Sequence, residues 1–65
     1  MKNWIKEIKD SGKIIILDDS SRWEVNIVDR IDARLWMRLD NVTVTENKMT
    51  NHGQGDKTIT VKGLH

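Results

Sequence analysis

The stretch Lys13–Ile27, KIIILDDSSRWEVNI, constrains this chain more than any other. Its second half alternates without a break. Trp23, Val25 and Ile27 fall on one side, and Arg22, Glu24 and Asn26 on the other. A period of two marks a strand with one buried face. Its first half, Ile14–Leu17, is a continuous apolar run, so both of its faces need cover. A short polar turn, Asp18–Ser21, lies between them. The two halves read as an antiparallel hairpin, with Trp23 at the centre of an all-β core.

The register of that hairpin follows from matching apolar sets, because opposed residues of an antiparallel pair share a face. Setting Leu17 against Trp23 also sets Ile15 against Val25. A strict two-residue loop at Asp19-Ser20 would instead oppose Leu17 to Arg22. The pattern therefore predicts an odd-length loop or a bulge within Asp18–Ser21. One turn residue there takes a positive φ, and Ser20 would be strained in it. The same matching leaves Ile14 and Ile16 pointing away from the core. Either Trp4 and Ile5 of the N-terminal segment cover them, or a protein partner does.

The rest of the chain repeats the theme in shorter pieces. Residues 2–9, KNWIKEIK, suit either a helix face (Trp4, Ile5, Ile8) or a strand face (Trp4, Lys6, Ile8) with a snorkelling lysine. Asp10-Ser11-Gly12 follows as a turn signal, which favours a strand paired with the next one. In Val28–Asp40, Asp29 can cap a short helical turn carrying Val28, Ile31 and Leu35 at helical spacing. Asn41–Glu46 alternates again, Val42 and Val44 inward. Asn47–Asp56 reads as a mobile loop with a short paired piece around Met49–Asn51, and Lys57–Lys62 is a last strand with Ile59 and Val61 inward. Five short strands and one helical turn predict a single all-β domain over residues 1–65. A five-stranded SH3-like barrel comes first and an OB-like one second, since closure removes exposed edges.

Composition sharpens this. A 65-residue chain has little core to spare, and this one has no Cys for disulfides. His52 and His65 are too far apart for the usual metal-ligand spacings. Stability must come from the core or from an oligomer interface. Eleven basic and ten acidic residues nearly cancel, which argues against bulk electrostatic binding to nucleic acid or anionic membrane. No apolar run is long enough to span a bilayer. The N-terminal MKNWIKEIKD is too polar for a signal peptide, so a cytoplasmic location is the expectation.

From Gly12 to Val25 the chain reads G-x-I-I-x-L-x-D-x-S-x-W-E-V, followed by Asp29, Trp36 and Asp40-x-Val42. Over about residues 4–62 this resembles a family of small uncharacterised bacterial proteins. Their pattern runs strand, DGS turn, W-E-V, then a Trp and a G-D-x-V turn. Two turn glycines of that pattern are Ser20 and Leu39 here. The resemblance implies a small β-barrel with no established activity, and it implies export for some members. It carries over no functional residue.

Candidate sites are few. Arg30, Arg34 and Arg38 at four-residue spacing would line one helical face beside Trp36, an arrangement suited to phosphate or stacked bases. Asp18, Asp19, Glu24 and Asp29 lack the alternate spacing of a calcium loop and read as turn formers and outward strand positions. His52 has no visible nucleophile or orienting partner in sequence. Gly53–Gly55 lacks the strand-then-helix context of a phosphate loop. Asn41-Val42-Thr43 matches the glycosylation pattern, as strand composition readily does. No catalytic, metal or cofactor constellation can be assembled. The expectation is a non-enzymatic interaction module, possible interface Ile14, Ile16, Trp4 and Ile5. It would dock an apolar patch, or add a strand at an imperfectly closed edge, against another protein or a second copy. The alternative is a weak single-stranded nucleic-acid binder using the arginine stripe.

Overall fold

The computed structural model describes residues 2–64. They form six strands: β1 (Lys2–Lys9), β2 (Ile14–Leu17), β3 (Arg22–Val25), β4 (Asn41–Thr45), β5 (Lys48–Asn51) and β6 (Lys57–Leu64). One α-helical turn, α1 (Arg30–Ala33), lies between β3 and β4. The strands close into a barrel in the order β1-β2-β3-β6-β5-β4, every pair antiparallel. The all-β barrel and its helical turn match the sequence reading. The strand count does not: six strands replace the expected five. Closure gives every strand a partner on both sides, with Lys2–Trp4 of β1 sealed against Asn41–Thr43 of β4.

The extra strand is β5, expected only as a short paired piece. Its inward positions are Met49 and Asn51, both fully buried. An inward asparagine hides the alternation that marks a strand. It is tolerated because its amide is satisfied. Asn51 Nδ2 donates to Asp40 at 3.0 Å, and Asn51 Oδ1 accepts the Gly53 N–H at 2.8 Å.

β1 is a strand paired with β2, but its faces differ from expectation. Asn3 and Ile5 point inward, not Trp4 and Lys6. A bulge between Ile5 and Glu7 then resets the alternation, which returns Ile8 to the core side. The bulge also lets one strand serve two neighbours. Lys2–Trp4 pair with β4, and the remainder with β2.

The hairpin has the predicted odd loop, with a register two residues away from the predicted one. Ile15 opposes Trp23 and Ile16 opposes Arg22. The loop is Asp18-Asp19-Ser20, closed by Ser20 N–H to the Leu17 carbonyl at 2.9 Å and Leu17 N–H to the Ser21 carbonyl at 3.0 Å. Ser20 takes φ 68°, the left-handed residue of a three-residue hairpin. Polar bonds fix this loop. Asp19 accepts from the Ser21 N–H at 2.9 Å and from its hydroxyl at 2.6 Å, and the Trp23 indole N–H donates to Ser21 Oγ at 2.9 Å. The Ser21 hydroxyl and N–H hold the Asp19 carboxyl below the usual carboxylate range. A shift of two residues preserves every face, so Ile15, Leu17 and Val25 still point inward.

Trp23 is therefore not the core's centre. It is half-buried on the inward side of β3, packed against the edge of the core with its ring over Gly63. The core consists of Ile5, Ile15, Leu17, Val25, Val42, Met49, Ile59 and Val61, with Ala33 and Trp36 packed in from the β3–β4 crossover. Ile27, expected to extend β3 inward, lies beyond the strand and is exposed.

Candidate functional site

The crossover from β3 to β4, residues 26–40, is pinned at both ends. At its start the Asn26 N–H donates to the Thr60 carbonyl at 3.0 Å, and the Thr60 N–H donates to the Asp29 carboxylate at 2.9 Å. Asp29 therefore fastens the crossover to β6 and does not cap the helix. At its end the Leu39 N–H bonds the Ile5 carbonyl at 2.7 Å, and the Ile5 N–H bonds the Asp40 carbonyl at 3.0 Å. Asp40 closes the corner. Its Oδ2 accepts from the Met37 N–H at 2.9 Å and from Asn51. Partial burial opposes its ionisation, but the Met37, Asn51 and Gln54 donors outweigh that and hold its carboxyl below the usual range.

Between those anchors Ile27–Asp29 form a 3₁₀ turn and α1 a single α-helical turn, tight turns follow to Asp40, and the two sides of the segment differ sharply. Asp29, Ala33 and Trp36, at i, i+4 and i+7, face the barrel. Backbone contact with the Asp10–Gly12 turn sets the seat. A Cβ on Gly12, which has φ +94°, would lie 2.7 Å from both the Arg30 carbonyl oxygen and the Arg34 nitrogen. The opposite side carries Ile27, Val28, Ile31 and Leu35, and the following turn adds Met37 and Leu39. All six are between 63% and 72% exposed. Among the described residues only Trp4 and Leu64 are other exposed large hydrophobics. The helical spacing of Val28, Ile31 and Leu35 is legible in the sequence. Its direction is not, because an apolar stripe normally faces inward and here Ala33 and Trp36 take that role.

Leu39 has a further peculiarity. Its φ is 73°, in the left-handed region that disfavours side chains with a Cβ. An exposed leucine in that conformation serves neither the turn nor the core. Beside the face, an open groove of about 610 Å³ runs along Val25, Ile27, Arg30, Thr60 and Val61.

The residues singled out from the sequence fall elsewhere. Ile5 is fully buried in the core and cannot contact a partner. Ile14 and Ile16 are half-buried on the outer face of β2, opposite to the face on which Ile5 is buried. Ile14 lies between Lys9 and Glu24, and Ile16 between Glu7 and Arg22, on the flanking strands. Long charged side chains in those positions lay their methylenes over apolar neighbours. Trp4 is 40% exposed on the outer face of β1.

The arginine stripe does not converge on one site. Arg30 Nε donates to the Val25 carbonyl at 3.1 Å, and Arg38 Nε to the Lys6 carbonyl at 3.0 Å, on different strands. Arg34 is exposed. Trp36, expected beside them for stacking, is buried at 5% exposure.

His52 does find partners that the sequence spacing concealed. Its Nε2 lies 2.7 Å from Thr43 Oγ1 and its Nδ1 lies 2.8 Å from Asp56. The three groups sit on the exposed surface and line none of the grooves described. They tie the 52–56 turn to β4. His65 lies outside the described residues. No group of three or more potential metal ligands occurs among the described residues, and no helix is long and apolar enough to cross a membrane. No protein-family model, curated protein or solved structure matches this chain.

Proposed function

We propose that this protein is a non-enzymatic interaction module whose docking surface is the outer side of the β3–β4 crossover. The observation that carries this reading is the six exposed hydrophobics within Ile27–Leu39, on a segment fixed at both ends. Burying one such side chain is worth roughly 1.5–3 kcal/mol, so three or four of them against a partner suffice for a specific complex. A chain this small leaves such residues exposed at the expense of its own solubility. The strained Leu39 adds weight, because a locally unfavourable residue that packs nothing points to use outside the fold. The barrel is of the SH3-like or OB-like kind in size and in its short helical connection. Such barrels commonly present binding surfaces, which is support by analogy only.

The test is the double variant Ile31→Glu with Leu35→Glu. The reading expects unchanged far-ultraviolet circular dichroism, a melting temperature equal to or above that of the dilute wild type, and loss of binding of the apolar dye 8-anilinonaphthalene-1-sulfonate. A large drop in melting temperature would show that these side chains support the fold, and would refute the docking surface.

A further inference from the structure

We infer that the occupant of this surface is a second copy of the chain, packed about a two-fold axis running along the crossover helix. The inference rests on the docking-surface reading above and specifies its partner.

Three observations favour a second copy. First, the chain carries a net charge of only +1, and near-neutral chains lack the mutual repulsion that keeps copies apart. Second, a 65-residue barrel without Cys has no covalent staple, and association is one of the few remaining sources of stability for a domain of this size.

Third, the charges flanking the stripe are complementary to themselves. At about 100° per residue, Ile27, Ile31 and Leu35 run up the middle of the outer side. Arg30 and Arg34 then lie on one flank and Asp32 on the other. A two-fold axis along the stripe stacks Ile31 on Ile31 and brings the arginine flank of each copy against Asp32 of the other. An axis across the stripe would oppose arginine to arginine. A symmetric contact of the first kind is made twice, once on each side. The groups it needs are available. Arg34 is exposed, Arg30 uses only its Nε on the Val25 carbonyl, and the Asp32 carboxylate has a single ion pair, with Lys57 at 3.4 Å. That pair is solvent-exposed and weak enough to rearrange.

The same arrangement argues against a lipid surface as the occupant. Asp32 would face anionic headgroups there, whereas across the two-fold contact it meets arginine.

The experiment is sedimentation equilibrium of the full chain and two charge variants. Wild type is expected to shift from monomer to dimer between roughly 1 µM and 1 mM, the span of a modest specific contact. Asp32→Arg and Arg34→Asp should each weaken the dimer by about tenfold or more, since each places like charges together on both sides. An equimolar mixture of the two variants should restore the dimer. On one side of the mixed dimer the introduced arginine of one copy meets the introduced aspartate of the other. On the other side the unmutated Arg34 of the first copy meets the unmutated Asp32 of the second. Circular dichroism of each variant checks that it folds.

A wild type that stays monomeric throughout overturns the second-copy inference, and so does a mixture no better than its components. A persistent monomer that sediments with phosphatidylserine vesicles overturns it as well and assigns the face to lipid. In each of those cases the docking surface stands if the Ile31→Glu, Leu35→Glu double variant behaves as described above.

Discussion

The outer face of β2 and the outer side of the β3–β4 crossover are both apolar, yet only one is left uncovered. Ile14 and Ile16 sit on an interior strand of a sheet, with charged residues opposite them on β1 and β3. Long side chains in such positions can lay their methylenes over apolar neighbours. The crossover has a neighbour only on its inner side. Ile31 and Leu35 on its outer side remain about two-thirds exposed. The difference teaches that an apolar residue's fate depends on how many elements its own element touches. A strand within a barrel always has two neighbours, whereas a crossover helix has one.

The largest expected effects separate core from surface. Ile15→Ala removes a fully buried side chain from the middle of β2 and should cost about 2–5 kcal/mol. Leu35→Ala on the crossover should change the stability of the dilute protein by less than about 0.5 kcal/mol. Chemical denaturation measures both, and equal losses would erase the distinction between the two regions.

A smaller effect concerns the corner that holds the crossover open. Asp40→Asn weakens its bonds to Met37 and to buried Asn51, and should cost about 1–3 kcal/mol at neutral pH. The carboxyl's pKa is depressed on folding, so its stabilisation is present above the unfolded value of 3.8 and is lost as pH falls through the lower folded value. The gap in melting temperature between wild type and Asp40→Asn should therefore narrow below that pH. A gap that stays constant into strong acid would mean that the charge is not what holds the corner.

The smallest effects come from two of the turns with a positive-φ side chain, at Leu39 and Ser20, and here the regions part again. Leu39→Gly should stabilise by about 1 kcal/mol through relief of the left-handed backbone. It should also weaken association, because it deletes a leucine from the docking side. Ser20→Gly should stabilise by about 0.5–1 kcal/mol and leave association untouched. Thermal melts together with sedimentation distinguish the two. Association unchanged in Leu39→Gly would remove Leu39 from the surface.

Much of the barrel is legible because its strands carry their own alternation. The inward set Val25, Val42, Val44, Ile59 and Val61 follows from period two, and matching it to the apolar run of β2 adds Ile15 and Leu17. Side-chain parity survives a two-residue error in register, so the hairpin's faces come out right even though its pairing does not. The positive φ at Ser20 is legible for a related reason: only an odd loop joins the two apolar faces.

The misreadings share one cause. β5 is obscured because Asn51 is buried, and its partner Asp40 lies eleven residues away. The β1 faces are hidden because the bulge at Lys6 is imposed by pairing with two strands. For Ile14 and Ile16, a strand's pattern does not say what stands beside it, and the structure leaves both half-buried. The sequence by itself determined five of the six strands, the inward residues of those other than β1, and the existence of an apolar helical stripe, since each is a local periodicity. Only the tertiary structure decided that Trp36 would fill the barrel and Ile31 and Leu35 would face away. Which side of a helix is buried depends on where the barrel holds both of its ends, and bonds to Thr60 and Ile5, from opposite ends of the chain, make that choice.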